Sequence, residues 1–159
     1  MEYSDLADVL RIQSVCYTEL VPESESSFVA KLRASPATCF VASRGGEVVG
    51  YLFSIPWHFS TPPRLDMQVC ELPESPDCLY LHDLAIAPVA RGSGVGQALV
   101  AAFLETFERL KVERASLIAV QGSMPYWRQY GFQAVEACDS IRTKLASYGS
   151  DVEYMTLLK

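Results

Sequence analysis

Leu79 to Ala87 is an almost unbroken apolar run. Through Pro88 it leads into Arg91-Gly92-Ser93-Gly94-Val95-Gly96 and then into an amphipathic stretch ending near Leu110. Continuous apolar character without alternation marks a strand covered on both faces, hence a central one. In the stretch that follows, Val95, Leu99, Phe103, Phe107 and Leu110 recur at helical spacing, while Glu105, Glu108, Arg109 and Lys111 face water. Strand, glycine turn and helix in this order commit the chain to mixed α/β architecture. The turn also suits an anion. First-turn amides lack intrahelical partners, and the helix dipole favours negative charge there. Glycines let the main chain approach closely, and Arg91 can fork onto phosphate oxygens, so a diphosphate is the natural guest. The spacing is G-x-G-x-G, with Gln97 and Ala98 after Gly96, and matches neither the Walker pattern nor the dinucleotide fingerprint. Taken alone, such a turn need hold nothing.

Around this centre the elements fall into a simple order. Ser4 and Asp5 can cap a helix carrying Leu6, Val9, Leu10, Ile12 and Val15, which Pro22 stops. A second helix fits Ser26 to Arg33. Residues 39–42 and 48–55 read as antiparallel strands about a turn at Arg44-Gly45-Gly46-Glu47, and Pro56 ends or bends the second. Residues 60–77 hold Pro62, Pro63, Pro73 and Pro76 without periodicity, and form a long loop that is either a binding wall or a solvated insertion. Strands are expected at 115–120, 132–135 and 154–158, with a short helix over 124–130 that Gly131 stops.

The 159 residues, half of them apolar, suit a single domain spanning 1–159. A net charge of −6 argues against a nucleic-acid grip, which needs clustered Lys and Arg. Cys16, Cys39, Cys70, Cys78 and Cys138 are scattered, with no C-x-x-C pair and only His58 and His82 as histidines, so a structural zinc site is not expected. Reduced thiols, no signal peptide and no membrane helix make a cytoplasmic protein, with no membrane partner, the expectation.

The segment Tyr80-Leu81-His82-Asp83-Leu84-Ala85-Ile86-Ala87-Pro88, followed by Arg91-Gly92-Ser93-Gly94-Val95-Gly96, resembles the acetyl-CoA motif of the GNAT N-acetyltransferases. That motif, Arg/Gln-x-x-Gly-x-Gly/Ala after a strand, is met by Arg91, Gly94 and Gly96. Tyr126-Trp127-Arg128-Gln129-Tyr130-Gly131-Phe132 is similar to the second family motif, aromatic-Tyr-x-x-x-Gly-Phe. The resemblance implies a mostly antiparallel mixed sheet, flanked by helices and splayed between the strands at 79–87 and 115–120, with a first strand that is short or missing here. It implies that pantetheine pairs with main-chain groups of Leu84, Ala85 and Ile86, and that pyrophosphate sits on residues 91–96. Trp127 joins the residues expected to touch the cofactor. The resemblance further implies that acetyl transfer from acetyl-CoA to an amine is direct, with no metal and no covalent enzyme intermediate.

Such a reaction needs a base for the acceptor ammonium and can use an acid for the leaving thiolate. Strand alternation from Tyr80 puts His82, Leu84 and Ile86 on one face and Leu81, Asp83 and Ala85 on the other. His82 is the candidate base, since histidine titrates near neutrality. The segment is similar to His-Leu-His-x-Leu-Ala-Val of the arylalkylamine N-acetyltransferases, where two histidines remove the proton through water; Tyr80 stands in place of the first. The tyrosine that serves as acid in the family is Trp127 here, whose indole is no useful acid. Tyr126, water, or unassisted departure of the thiolate stay open. Asp83 reads as a brace, and Trp57, His58 and Phe59 as an acceptor wall or an ordinary aromatic edge. Three functions follow: an N-acetyltransferase for a small primary amine, as monomer or homodimer; a protein or peptide N-acetyltransferase; or a non-catalytic CoA-binding module.

Overall fold

The computed structural model describes residues 1–17, 22–136, 139–146, 148 and 152–159; Cys138 lies outside the described residues. A 3₁₀ turn at Tyr3–Asp5 precedes helices α1 (Leu6–Cys16) and α2 (Glu25–Ala34), and the chain then enters strands β1 (Cys39–Arg44) and β2 (Glu47–Trp57). Strand β3 (Cys78–Ile86) is followed by the glycine turn and helix α3 (Val95–Arg109). Strand β4 (Arg114–Ala119), helix α4 (Met124–Arg128), the short strand β5 (Gln133–Ala134), helix α5 (Asp139–Ala146) and strand β6 (Glu153–Leu158) complete it. Among the described residues six strands form one sheet in the order β1-β2-β3-β4-β6-β5. Among these described strands β3 and β4 pair in parallel, and the other neighbours are antiparallel.

Helices cover both faces. On one, Leu99, Val100, Phe103 and Phe107 of α3 pack on Leu52, Leu79, Leu81 and Leu117 of the sheet, with Trp127 and Phe132 alongside. On the other, Leu6, Val9 and Ile12 of α1 and Phe28 and Leu32 of α2 meet Tyr51, Phe53 and Ala85. Each such side chain, removed from water, contributes roughly 1.5–3 kcal/mol. A third cluster joins Ile141 of α5 to Ile55, Tyr80 and Tyr154.

Several expectations shift. Val15 lies on the outer side of α1, half exposed. Pro56 stays within β2, opposite Leu79, because β1 pairs with β2 only as far as Phe53 and the missing N–H is not needed beyond it. Helix α5 carries few apolar residues, and its sequence offers no sustained period to announce it. Among the described residues no strand precedes α1, which leaves β1 at the sheet edge. No described helix is long and apolar enough to cross a membrane.

Gly50 of β2 sets the distance between sheet and helix. A Cβ there would stand 2.8 Å from Ile86 Cδ1, 3.1 Å from Val95 Cγ1 and 3.2 Å from Leu99 Cδ1. Gly50→Ala therefore pushes on both the start of α3 and the end of β3. Chemical denaturation is expected to show a loss of about 1–3 kcal/mol, the range for overpacking.

Candidate active site

The parallel pairing of β3 with β4 ends at Leu81 opposite Leu117, yet β3 continues to Ile86 and β4 to Ala119. The two strands part, and a cavity of about 380 Å³ opens between them. The Ala87 N–H donates to Val49 O across the β2 side, so by alternation Leu84 and Ile86 turn their main-chain groups into the gap. Their carbonyls are within reach of α1: Tyr17 Oη donates to Leu84 O at 3.1 Å and Cys16 Sγ to Ile86 O at 3.3 Å. Ala85, opposite Tyr51, turns its main-chain groups toward β2 instead. An extended amide chain entering the gap finds the edge of an unpaired strand.

His82 sits at a β-bulge. Phe53 faces Asp83 and Ser54 faces Leu81, so His82 is an extra residue without a partner on β2. A bulge reverses the parity of all that follows. Strict alternation from Tyr80 therefore fails. Leu84 and Ile86 pack on the α3 face with Leu79 and Leu81, whereas His82 and Asp83 both turn to the face of α1 and α2. The base candidate thus approaches the gap from the side opposite α3.

On that side it meets Glu23, the residue before the N-cap of α2. His82 Nε2 lies 2.8 Å from Glu23 Oε1, with side chains 2% and 7% exposed. Asp66 N–H donates to the same oxygen at 2.8 Å, and Lys31 Nζ reaches Oε2 at 2.7 Å. The Glu23 backbone is clamped as well: its N–H donates to Gln13 Oε1 and its carbonyl accepts from Gln13 Nε2, both at 2.9 Å. Burial by itself would raise the Glu23 carboxyl, but His82 and Lys31 outweigh it and hold the group far below the ordinary carboxylate range. An ionised carboxylate only accepts, so the hydrogen of a neutral His82 belongs on Nε2. Nδ1 then carries the lone pair. It is buried and has no partner among the described residues.

Asp83 braces rather than reacts. Tyr17 Oη donates to Oδ1 at 2.5 Å and Tyr51 Oη to Oδ2 at 2.8 Å. Burial raises the Asp83 carboxyl, and the two tyrosine hydrogen bonds counter that only in part. Tyr80 is buried beside His82, with ring centroids 6.1 Å apart. The long connection folds back over α2: Ser24 donates to Asp66 Oδ1 from both N (2.8 Å) and Oγ (2.6 Å), and Asp66 takes a left-handed φ of 53°. Leu65 and Tyr148 reach the cavity wall. Trp57, His58 and Phe59 do not line it. Trp57 Nε1 donates to Thr61 O, and the Phe59 ring packs on Tyr154 and under the Arg114 guanidinium.

At the other end of the gap, Gly92 and Gly94 have φ of 72° and 85°, a conformation that bars most side chains. Gly94 is the N-cap of α3 and supplies no side-chain acceptor, so the first-turn amides at Val95 and Gly96 keep their donors for an anion. Ser93 Oγ bonds to Ala90 O at 2.6 Å and closes the turn. Arg91 is exposed at the mouth, with Nε 3.3 Å from Ile86 O. Gly96 is glycine for space: its Cβ would meet Tyr126 Oη at 3.0 Å. Tyr126 therefore lies over the start of α3 and accepts from Tyr130 Oη at 3.3 Å; burial and that neighbour raise its hydroxyl well above the ordinary phenol range. Trp127 is buried against Phe132 and Tyr126 at the cavity wall. These parts fit a thioester carrier with a pyrophosphate at one end and an amide-bearing arm along β3.

Fold and gap together define an acyl-CoA acyltransferase. Residues 6–132 match the Acetyltransferase (GNAT) family, and the chain belongs to it: it is an acetyl-CoA-dependent acyltransferase. No curated protein is a significant match in sequence. Among solved structures, the ribosomal-protein-alanine N-acetyltransferase of Brucella melitensis is similar at TM-score 0.70 and 20% identity, over 100% of this chain and 97% of that one. The loading GNATL domain of CurA from Lyngbya majuscula is similar at 0.77 and 13%, over 99% and 94%. The N-acetylglutamate synthase of Neisseria gonorrhoeae, complexed with coenzyme A and N-acetyl-glutamate, is similar at 0.70 and 15%, over 97% of this chain and 32% of that one. At these identities the likeness is one of fold.

Proposed function

We propose that the chain, acting as one catalytic domain, moves the acetyl group of acetyl-CoA directly to the primary amine of a small molecule. The observation that carries this reading is the buried His82–Glu23 pair beside the gap, with Nδ1 of His82 unengaged among the described residues. Acetyl-CoA supplies the acetyl group as a thioester. Leu84 and Ile86 would hold its arm, and Arg91 with the turn of Gly92, Ser93, Gly94, Val95 and Gly96 its pyrophosphate. Nδ1 takes a proton from the acceptor ammonium, and Glu23 stabilises the imidazolium that results. The freed amine forms the C–N bond as the C–S bond breaks, and the second proton that the nitrogen sheds in becoming an amide passes through water to the departing thiolate. Because a thiol has an ordinary pKa of about 8.5, its thiolate can leave without a strong acid and take its proton from water. Neither Trp127, which has no ionisable hydrogen of use, nor Tyr126, placed over the start of α3, is needed for that step. Tyr80 supports His82 by packing.

Leu65 and Tyr148, both at the wall of the same cavity, support reading the acceptor as a compact amine rather than a folded protein surface. Cys16, Cys39, Cys70 and Cys78 are free thiols, which suits the reducing cytoplasm. Purified protein with acetyl-CoA and a panel of small amines, polyamines and peptides tests the reading, followed by thiol release and product mass. Turnover is expected on small amines. Turnover on peptides alone, or CoA binding without turnover on anything, would overturn it.

A further inference from the structure

Lys31 is wholly buried on α2, eight positions beyond Glu23 in sequence, with 0% of its side chain exposed. Its ammonium is held at 2.7 Å by Glu23 Oε2 and at 2.6 Å by Ser27 Oγ. An ammonium taken out of water costs several kcal/mol, and a buried ion pair commonly stabilises a fold no better than apolar residues of the same volume. Packing alone would be served by methionine or leucine at this position. The placement has a different consequence. Glu23 has two carboxylate oxygens. With Lys31 and Ser27 on Oε2, rotation of the carboxylate is blocked, and Oε1 is left for His82 Nε2 and the Asp66 N–H. The Gln13 clamp fixes the Glu23 main chain but cannot fix the rotation of its carboxylate; Lys31 can.

We propose that Lys31 is a positioning residue for acetyl transfer, locking the Glu23 carboxylate so that His82 carries its hydrogen on Nε2 and offers Nδ1 to the acceptor. This rests on the reading of His82 as base. Lys31 touches neither substrate. It acts through Glu23, in a line of three groups running from α2 to the bulge on β3. A carboxylate that only orients a histidine still governs which ring nitrogen is basic, and the wrong tautomer has a large effect on rate.

The test uses Lys31→Gln, which keeps an N–H donor on a side chain one bond shorter but removes the charge, and Lys31→Arg, which restores the charge. Two readouts are taken on the whole chain. The first is steady-state acetyl transfer, with acetyl-CoA affinity measured separately by calorimetry. The second is the ¹⁵N spectrum of histidine-labelled protein, which holds only His58 and His82 and is assigned with a His58→Gln variant. In the wild type, His82 is expected to show a protonated Nε2 and a bare Nδ1. In K31Q that signature is expected to give way to a mixture of tautomers. There kcat falls by about tenfold or more at unchanged acetyl-CoA affinity, and K31R recovers most of both. Should K31Q fail to fold, Ser27→Ala is the milder probe. It keeps the charge, removes one of its two anchors, and is expected to lower kcat a few-fold with partial mixing of tautomers. A folded K31Q, or failing that S27A, with the wild-type tautomer and wild-type kcat would overturn the proposal. His82→Gln separates the two claims. Full activity in that variant would sink the base reading itself, whereas a crippled H82Q beside an unaffected K31Q would sink the role of Lys31 alone.

Discussion

Replacing His82 with glutamine is expected to lower kcat by about 10²- to 10⁴-fold, the range for removing a positioned general base, with acetyl-CoA affinity unchanged. The asymmetry follows from the fold. Cofactor contacts are assigned to Leu84, Ile86 and the turn from Arg91 to Gly96, and none runs through the imidazole. His82 projects from the bulge toward α1 and α2, away from the face on which Leu84 and Ile86 pack. Glutamine retains an N–H donor for Glu23, so the pocket keeps its shape and loses only the basic nitrogen. Steady-state kinetics beside calorimetric titration with acetyl-CoA reads both quantities. A kcat within threefold of wild type would remove His82 from the mechanism.

Replacing Glu23 with alanine is expected to act on stability as strongly as on rate. It leaves Lys31 buried without its counter-ion, and removing one member of a buried pair typically destabilises by about 3–5 kcal/mol. For a chain of this size that corresponds to a fall in Tm of roughly 6–20 °C. The pH dependence has a definite sign. The Glu23 carboxyl is depressed in the folded state, so its contribution is present above the ordinary carboxyl value of about 4.3 and declines as pH falls toward the depressed one. The stability gap between wild type and E23A should therefore be full at pH 6–7 and narrow below about pH 4. Asp83, raised by burial, works in the opposite direction, and is common to both proteins. Thermal melts across that range measure the difference directly. A gap that stays constant from pH 7 to pH 3 would show that Glu23 is not the paired anion described here.

Much of the architecture was legible because it depends on local signals. The apolar run at 79–87, the glycines of 91–96 and the spacing of Leu99, Phe103 and Phe107 each dictate one element. Their order dictates the sheet. The parting of β3 from β4 was legible only through the resemblance to a family. The bulge at His82 was not legible at all: a bulge is set by how two strands register, and nothing in Tyr80-Leu81-His82-Asp83 differs from a regular strand. The roles of Glu23 and Lys31 are not legible for a similar reason. They stand 59 and 51 positions from His82 in a segment that reads as an ordinary polar helix start, and only the packing of α2 on the sheet brings them together. The one local hint was a lysine on the same side of α2 as Phe28 and Leu32, where an apolar residue would be expected.

Acetyl transfer beside His82 is tested by a crystal structure with a conjugate in which coenzyme A is joined through an acetyl bridge to a small amine. The pantetheine is expected between β3 and β4 on Leu84 and Ile86, the pyrophosphate on the amides of the turn ending at Gly96, and the amine nitrogen within hydrogen-bonding reach of His82 Nδ1, directly or through one water. An amine nitrogen directed away from His82, or a pantetheine lying outside the gap, would contradict that placement.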